Sequence, residues 1–323
     1  MRNHLRFIFA LFLNLAVLGS LQAESRLPAL EKATPENVHD LRAIQERVTK
    51  VVAKVMPAVV GIRIGHAAGS GVIVNEDGYV LTAGHISGEP DRDAEVILPN
   101  GRRLRGKTLG ANVSIDSGMI RILDEGNWPF VEMGDASKVK EGTWCLALGH
   151  PEGFRLGRTP VVRLGRVLER RGSVLRTDCA LVGGDSGGPL FDLDGKVIGI
   201  HSRIGEHLTM NIHVAVDAYR ENWERLVKGE VWGGRKHGPY IGVHLNEDDR
   251  ECRIVKVDKG SPAEKAGLKA NDVVIRFGTT RVEDLFDLLE LIRAHKPGEE
   301  VPIRVRRGKE ILNLTIVIGS HPT

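Results

Sequence analysis

The sequence predicts a mostly β protein followed by a smaller α+β unit. Many short apolar runs alternate with Gly-rich turns through the first two thirds of the chain. The pattern changes near residue 217, and helical and strand-like segments then alternate from residue 239 to 320. The composition suits two packed cores: 323 residues, 41% hydrophobic and 27% charged. A net charge of +3 is too small to argue for a nucleic-acid partner.

The first 23 residues stand apart. Arg2, His4 and Arg6 precede an apolar run from Phe7 to Leu18, and Ala23 offers a small residue for cleavage. This reads as a secretory signal peptide and places the chain in the periplasm or outside the cell. Anchoring by the uncleaved segment is the alternative, although the run is shorter than the roughly 20 apolar residues of a membrane span. Residues 24–44 read as a polar arm and the start of a helix. Val38, Leu41, Ile44, Val48, Val51, Val52 and Val55 recur at helical spacing until Met56-Pro57 stops them.

Strands are predicted at 58–64, 69–74 and 79–82, the last two joined by the turn Asn75-Glu76-Asp77-Gly78. Further strands are expected at 94–98, 119–123, 144–148, 161–168, 188–191, 196–201 and 213–216, with a closing helix over 217–227. Residues 229–238 read as a Gly-rich linker. The last unit, 239–320, has strands at 240–245, 253–257, 273–277, 301–305 and 311–318 and helices at 262–267 and 282–295. Cys145, Cys179 and Cys252 are an odd number without metal spacing, so no disulfide framework is expected. Cys145, in an apolar run, reads as a buried small hydrophobe. Nothing points to a metal or cofactor, since no His-Glu-x-x-His pattern is present.

Three segments carry chemistry: Thr82-Ala83-Gly84-His85, Asp116 within Ser114–Ile120, and Gly183-Gly184-Asp185-Ser186-Gly187-Gly188-Pro189-Leu190. A serine hydroxyl needs a neutral imidazole to take its proton, and the imidazole needs an acid to hold its tautomer. His85, Asp116 and Ser186 can fill these roles. They occur in the order His, Asp, Ser, with spacings of 31 and 70 residues. That order separates a chymotrypsin-type site from the other common arrangements. Gly184 and Ser186 can aim two backbone N–H groups at one oxyanion. His150, His201, His207 and His213 read as structural or exposed.

These motifs resemble those of the HtrA/Deg serine proteases of the trypsin-like clan. The resemblance runs over residues 45–320 and rests on Val55–Val60, Gly69–Ile86, Trp144–Pro151, Arg176–Leu190 and the C-terminal unit. It implies a chymotrypsin-like double β-barrel protease domain at 45–228, with the site between two perpendicular six-stranded barrels, and a PDZ domain at 239–320. It also implies ATP-independent cleavage of misfolded or exported polypeptides by a homo-oligomer, trimeric or larger. A peptide-binding chaperone with little proteolysis is the alternative function, and the complete Ser-His-Asp set argues against it.

Two departures from the family matter. Asp185 and His150 stand where relatives commonly have Asn. In digestive relatives this Asp pairs with a new N-terminus, which lies far upstream here. Pairing of Asp185 with Arg155 or Arg158, and simple solvation, are both open readings. The resemblance places Ala180 at the base of the substrate pocket, with Ile200, Ser202 and Met210 around it, implying small or medium aliphatic side chains. Ser202 is also placed near Asp116, where its hydroxyl could hydrogen-bond the acid or equally face solvent. In the last unit Tyr240, Ile241, Gly242 and Val243 resemble a PDZ carboxylate-binding loop that takes peptide C-termini. Asn271 stands where Gly is usual, at a turn Asn also tolerates. Seven arginines lie between 155 and 176, with Glu169 the only acid, and read as a solvated barrel face. An acidic partner, an anionic lipid or a neighbouring subunit is the other reading.

Overall fold

The computed structural model describes residues 28–32, 34–205, 209–233, 238–245, 251–282 and 285–320. The expected signal peptide and His207 lie outside them. The described residues up to Glu46 and those from Arg47 onward form two compact units. In the first, α1 (Pro28–Glu31) precedes Lys32, whose ammonium donates to Glu36 and Asp40, each at 2.8 Å. Asn37 Oδ1 accepts the Asp40 N–H at 3.0 Å and so caps the start of α2 (Val38–Val55). The expected apolar stripe is buried at Ile44, Val51 and Val55, but Val38 and Leu41 are exposed.

Six strands close the first barrel: β1 (Val59–Ile64), β2 (Ala67–Ile73), β3 (Tyr79–Ala83), β4 (Asp93–Ile97), β5 (Arg103–Asn112) and β6 (Ser117–Ile122). They pair antiparallel in the order β5-β4-β1-β2-β3-β6, and β5–β6 pairing closes the ring. Val60, Ile62, Ile73, Val80, Val96 and Ile120 fill it. α3 (Gly84–Ser87) follows β3 directly and carries His85. β5 was not expected. Its buried positions include Gly106, Thr108 and Gly110, so no apolar alternation marks it.

The second barrel contains β7 (Trp144–Gly149), β8 (Val161–Arg171), β9 (Val174–Thr177), β10 (Pro189–Asp192), β11 (Val197–Ile204) and β12 (Asn211–Ala215), closed in the order β10-β11-β12-β9-β8-β7. The expected closing helix is two short ones, α4 (Val216–Glu221) and α5 (Trp223–Val227), broken at Asn222. The expected linker is not free along its length. Its β13 (Val231–Trp232) pairs in parallel with Ala111 and Asn112 of β5.

In the last unit, β14 (Pro239–Tyr240) pairs with β21 (Gly319–Ser320), and β15 (Val243–Leu245) with β16 (Ile254–Val257). β17 (Val273–Phe277), β18 (Thr280–Arg281), β19 (Glu300–Arg307) and β20 (Glu310–Val317) form a four-stranded sheet. The single strand expected over 240–245 is broken at Gly242, where φ is +80°. α6 (Pro262–Lys265) is capped by Ser261, and α7 (Leu285–Arg293) buries Leu288 and Ile292. Asn271 takes φ +71°, the left-handed conformation expected of it. Arg171 of β8 pairs with the buried Asp287 of α7.

A polar chain runs through the second barrel. His201 Nε2 lies 3.1 Å from the Leu148 carbonyl, so it must donate, and His201 Nδ1 must then accept. His213 Nδ1, 2.9 Å away, supplies that proton, and the Thr177 hydroxyl donates to His213 Nε2 at 2.8 Å. Every proton position is thereby fixed with both rings neutral. Burial pushes His201 well below the ordinary value of 6.5 and His213 down to about 3. Below pH 6.5 the unfolded chain binds protons that the folded barrel refuses. The melting temperature should therefore be steady above about pH 6.5 and fall between about pH 6.5 and 4. His213→Gln should flatten that slope, and an equal slope in both proteins would contradict this.

Candidate active site

The three residues expected to carry the chemistry meet at the junction of the barrels. His85 follows β3, Asp116 precedes β6, and Ser186 precedes β10. His85 Nδ1 lies 3.0 and 2.9 Å from the two Asp116 oxygens, and the His85 backbone N–H donates to Asp116 Oδ1 at 2.8 Å. Asp116 is 8% exposed and takes φ +64°. The Gly84 N–H holds its carbonyl at 2.9 Å, fixing that unusual backbone. Ser202 Oγ donates to Asp116 Oδ2 at 2.5 Å rather than facing solvent. Burial alone would raise the Asp116 carboxyl, but the bonds from His85 and Ser202 hold it below the ordinary value. His85 is thus tied to its acid, while among the described residues no hydrogen bond joins it to Ser186 Oγ.

Two glycines permit this arrangement. A Cβ at Gly118 would lie 2.1 Å from Ser87 Oγ, so only Gly lets α3 pack against β6. A Cβ at Gly187 would lie 2.2 Å from the Ser70 carbonyl, so only Gly lets the Ser186 loop press on the first barrel.

The loop itself is held by its carbonyls. Glu152 N–H donates to the Gly183 carbonyl at 2.6 Å, and Gly188 N–H to that of Asp185 at 2.8 Å. In a planar trans peptide the N–H points opposite to the C=O. The N–H groups of Gly184 and Ser186 therefore point away from those donors, and neither has a protein acceptor among the described residues. Ser70 of β2 ties the loop to the first barrel. Its N–H donates to the Ser186 carbonyl at 2.8 Å, and its hydroxyl donates to the Gly184 carbonyl at 2.8 Å. The same hydroxyl accepts the His150 N–H at 2.9 Å. Ser70 was missed in the sequence, where it stood only as the middle of Gly69-Ser70-Gly71.

A cleft of about 740 Å³ is lined by His85, Asp116, Ser186 and Ser202, with Leu181, Val182 and Ile204 among its apolar walls. This corrects the expected pocket. Ala180, which is exposed, Met210, which is half-buried, and Ile200, which is fully buried, lie outside the cleft lining. Leu181 lines the cleft instead because Asn211 Oδ1 accepts its N–H at 2.9 Å and turns the segment inward. Arg203, between Ser202 and Ile204, and Glu89 also line the cleft.

Asp185 is neither solvated nor paired with Arg155 or Arg158. It is 0% exposed and forms an ion pair with Arg163 at 2.9 Å. Arg155 pairs with Glu152, and Arg158 donates to the Pro151 and Gly153 carbonyls. Much of the arginine cluster is likewise engaged rather than free: Arg166 lies over the Trp144 ring and Arg176 pairs with Glu169. His150, His201 and His213 are fully buried.

Comparison with known proteins follows this geometry. Residues 69–200 match the trypsin-like peptidase domain family, and residues 239–318 the PDZ domain family. A putative serine protease HhoB of Synechocystis is 30% identical over 79% of this chain and 67% of its own length. The chain belongs to the HtrA/DegP-like serine proteases. Another family member, a probable periplasmic serine endoprotease DegP-like of Halomonas elongata, is 33% identical over 79% of this chain and 56% of that protein. The chain spans 56% and 59% of the first two curated relatives it matches. Among solved structures, the HtrA-type protease AlgW with tripeptide shares the fold at TM-score 0.55 and 23% identity, covering 85% of this chain and 97% of that one. A serine endoprotease from Yersinia pestis does so at TM-score 0.52 and 24% identity, covering 84% and 97%.

Ser70→Ala should leave the Gly184 carbonyl and the His150 N–H without their side-chain partner. A buried group so orphaned costs about 1–3 kcal/mol. A fall in unfolding free energy of about 2 kcal/mol, read from the urea midpoint, is expected, and an unchanged midpoint would refute the clamp.

Proposed function

We propose that the protein is an ATP-independent serine endopeptidase of the periplasm that cleaves misfolded or exported polypeptides. Ser186 is its nucleophile. His85 takes the hydroxyl proton as Ser186 Oγ attacks the scissile carbonyl carbon, and then gives it to the leaving amine. A water repeats the sequence in reverse and frees the acyl group. Asp116, held by Ser202, keeps the imidazole in the tautomer that leaves Nε2 free to accept. The Gly184 and Ser186 N–H groups receive the oxyanion, where one lost donor raises the barrier by about 2.7–4 kcal/mol. The observation that carries this reading is the pair of unclaimed N–H groups at Ser186, in a segment that lines the same cleft as His85 and Asp116. The names of the curated relatives support the periplasmic location.

The last unit is proposed to take peptide C-termini. The same carbonyl logic supports it. Ala263 N–H donates to the Ile241 carbonyl at 2.8 Å and Asp258 N–H to the Gly242 carbonyl at 2.9 Å. The N–H groups of Gly242 and Val243 consequently face the other way, as a carboxylate would require. Tyr240 OH donates to Asp258 at 2.8 Å and braces the loop. β15 has β16 on one side and no other strand partner among the described residues, which leaves an edge for β-augmentation.

Casein should be degraded by the wild-type protein and left intact by Ser186→Ala. Equal chaperone activity in both proteins without cleavage would favour the peptide-binding alternative. Peptides ending in a free carboxylate should bind the full chain at least tenfold more tightly than their C-terminal amides by calorimetry. Equal affinities would remove the carboxylate-loop assignment.

A further inference from the structure

We propose that Arg163 is a positioning residue for the oxyanion-binding backbone, acting through Asp185. The inference rests on the proteolytic reading above and adds a component to it. Asp185 sits between the two peptide N–H groups assigned to the oxyanion: one precedes it in Gly184, the other follows it in Ser186. Its side chain is fully buried. Arg163 grips it as a fork, Nη2 to Oδ2 at 2.9 Å and Nη1 to Oδ1 at 3.3 Å. The Val182 N–H donates to the same Oδ2 at 3.0 Å, and the Asp185 N–H returns to the Val182 carbonyl at 3.1 Å. Two hydrogen bonds and one ion-pair contact thus fix the carboxylate, and the Asp185 N–H bond closes the loop it belongs to.

The surrounding structure is built for this carboxylate. Gly149 ends β7 directly beside it, and a Cβ there would lie 2.5 Å from Asp185 Oδ1. Arg163 comes from β8, opposite Ala147 of β7, so the barrel sheet holds its backbone rigidly. Among the described residues Arg163 is the one cation within ion-pair distance of Asp185. A buried charge that loses its partner is strongly unfavourable. Without Arg163 the Asp185 carboxylate must take up a proton or leave its pocket. Leaving would turn the Gly183–Gly184 and Asp185–Ser186 peptides and scatter the two N–H groups. Burial already pushes the Asp185 carboxyl above its ordinary value against the pull of Val182 N–H and Arg163, so little margin remains.

The test compares four full-length proteins with a chromogenic peptide: wild type, Arg163→Met, Asp185→Asn and the double variant. Arg163→Met should lower kcat on the order of 10²-fold, the cost of a misplaced oxyanion donor, with KM changed less than about threefold. Neutralising the orphaned acid in Arg163→Met/Asp185→Asn should recover at least tenfold of that loss. A peptidyl aldehyde, which forms a tetrahedral adduct, should lose affinity in step with kcat. If Arg163→Met does not fold, Arg163→Lys keeps the charge without the fork and should show the same kcat-selective loss at about tenfold. A kcat within threefold of wild type in the folded single variant would overturn the proposal, as would a folded double variant no better than it. If the wild type itself hydrolyses nothing, the proteolytic reading fails and takes this inference with it. Wild-type hydrolysis abolished by Ser186→Ala, with Arg163→Met unaffected, overturns the inference alone.

Discussion

A planar peptide cannot move its carbonyl without moving its N–H, and the site depends on this constraint. The Gly183 and Asp185 carbonyls are claimed by Glu152 and Gly188, so the N–H groups on the opposite side are aimed by bonds outside the cleft. The Ile241 and Gly242 carbonyls are treated in the same way in the last unit. Both anion sites proposed for this chain are therefore made by satisfying backbone acceptors from behind. No side chain has to enter either site to supply the donors. This explains why glycines surround Ser186 and why Gly242 stands in the second segment: the backbone must turn sharply, and nothing must fill the space in front of it.

Holding the loop needs both barrels. The first contributes Ser70, which binds the Ser186 and Gly184 carbonyls, and the second contributes Arg163 beneath Asp185. Gly187 lets the loop approach close enough for Ser70 to reach. Behind the acid, the buried Tyr219 donates to the Thr82 carbonyl at 2.8 Å, and Thr82 Oγ1 donates to the Ser70 carbonyl at 2.9 Å. β3, which delivers His85, and β2, which holds the Ser186 loop, are neighbours in one sheet, and this hydroxyl ties them further. The bonds from Ser70 to the Ser186 loop and from Tyr219 to β3 hold His85, Asp116 and Ser186 in relation, although the three are far apart in sequence.

Much of this was legible in the residues. His85, Asp116 and Ser186 stood out because the chemistry admits few residue types and glycines flank Ser186. The Ser202 bond to Asp116 was one of two readings open for that hydroxyl, and the fold selects it. Partner choice around Asp185 was not readable. Arg155 and Arg158 lie on a loop that turns to its own carbonyls and to Glu152. Arg163 reaches Asp185 because β8 pairs with β7 in one register, and register is a tertiary property. The pocket base failed for a similar reason. Whether Ala180 or Leu181 faces the cleft depends on the bond from the Leu181 N–H to Asn211, 30 residues away. β5 escaped notice because its buried positions carry glycines and a threonine, whose role is close approach rather than apolar burial.

The account's central claim is that the two N–H donors are aimed before any substrate arrives. The most direct measurement is a crystal structure of the full chain with a peptidyl boronic acid joined to Ser186 Oγ. One boronate oxygen should lie about 2.7–3.1 Å from both the Gly184 and Ser186 nitrogens. The Gly183 carbonyl should remain on the Glu152 N–H and Asp185 on Arg163. A boronate oxygen held by neither nitrogen, or a Gly183–Gly184 peptide turned over relative to the free protein, would contradict the account.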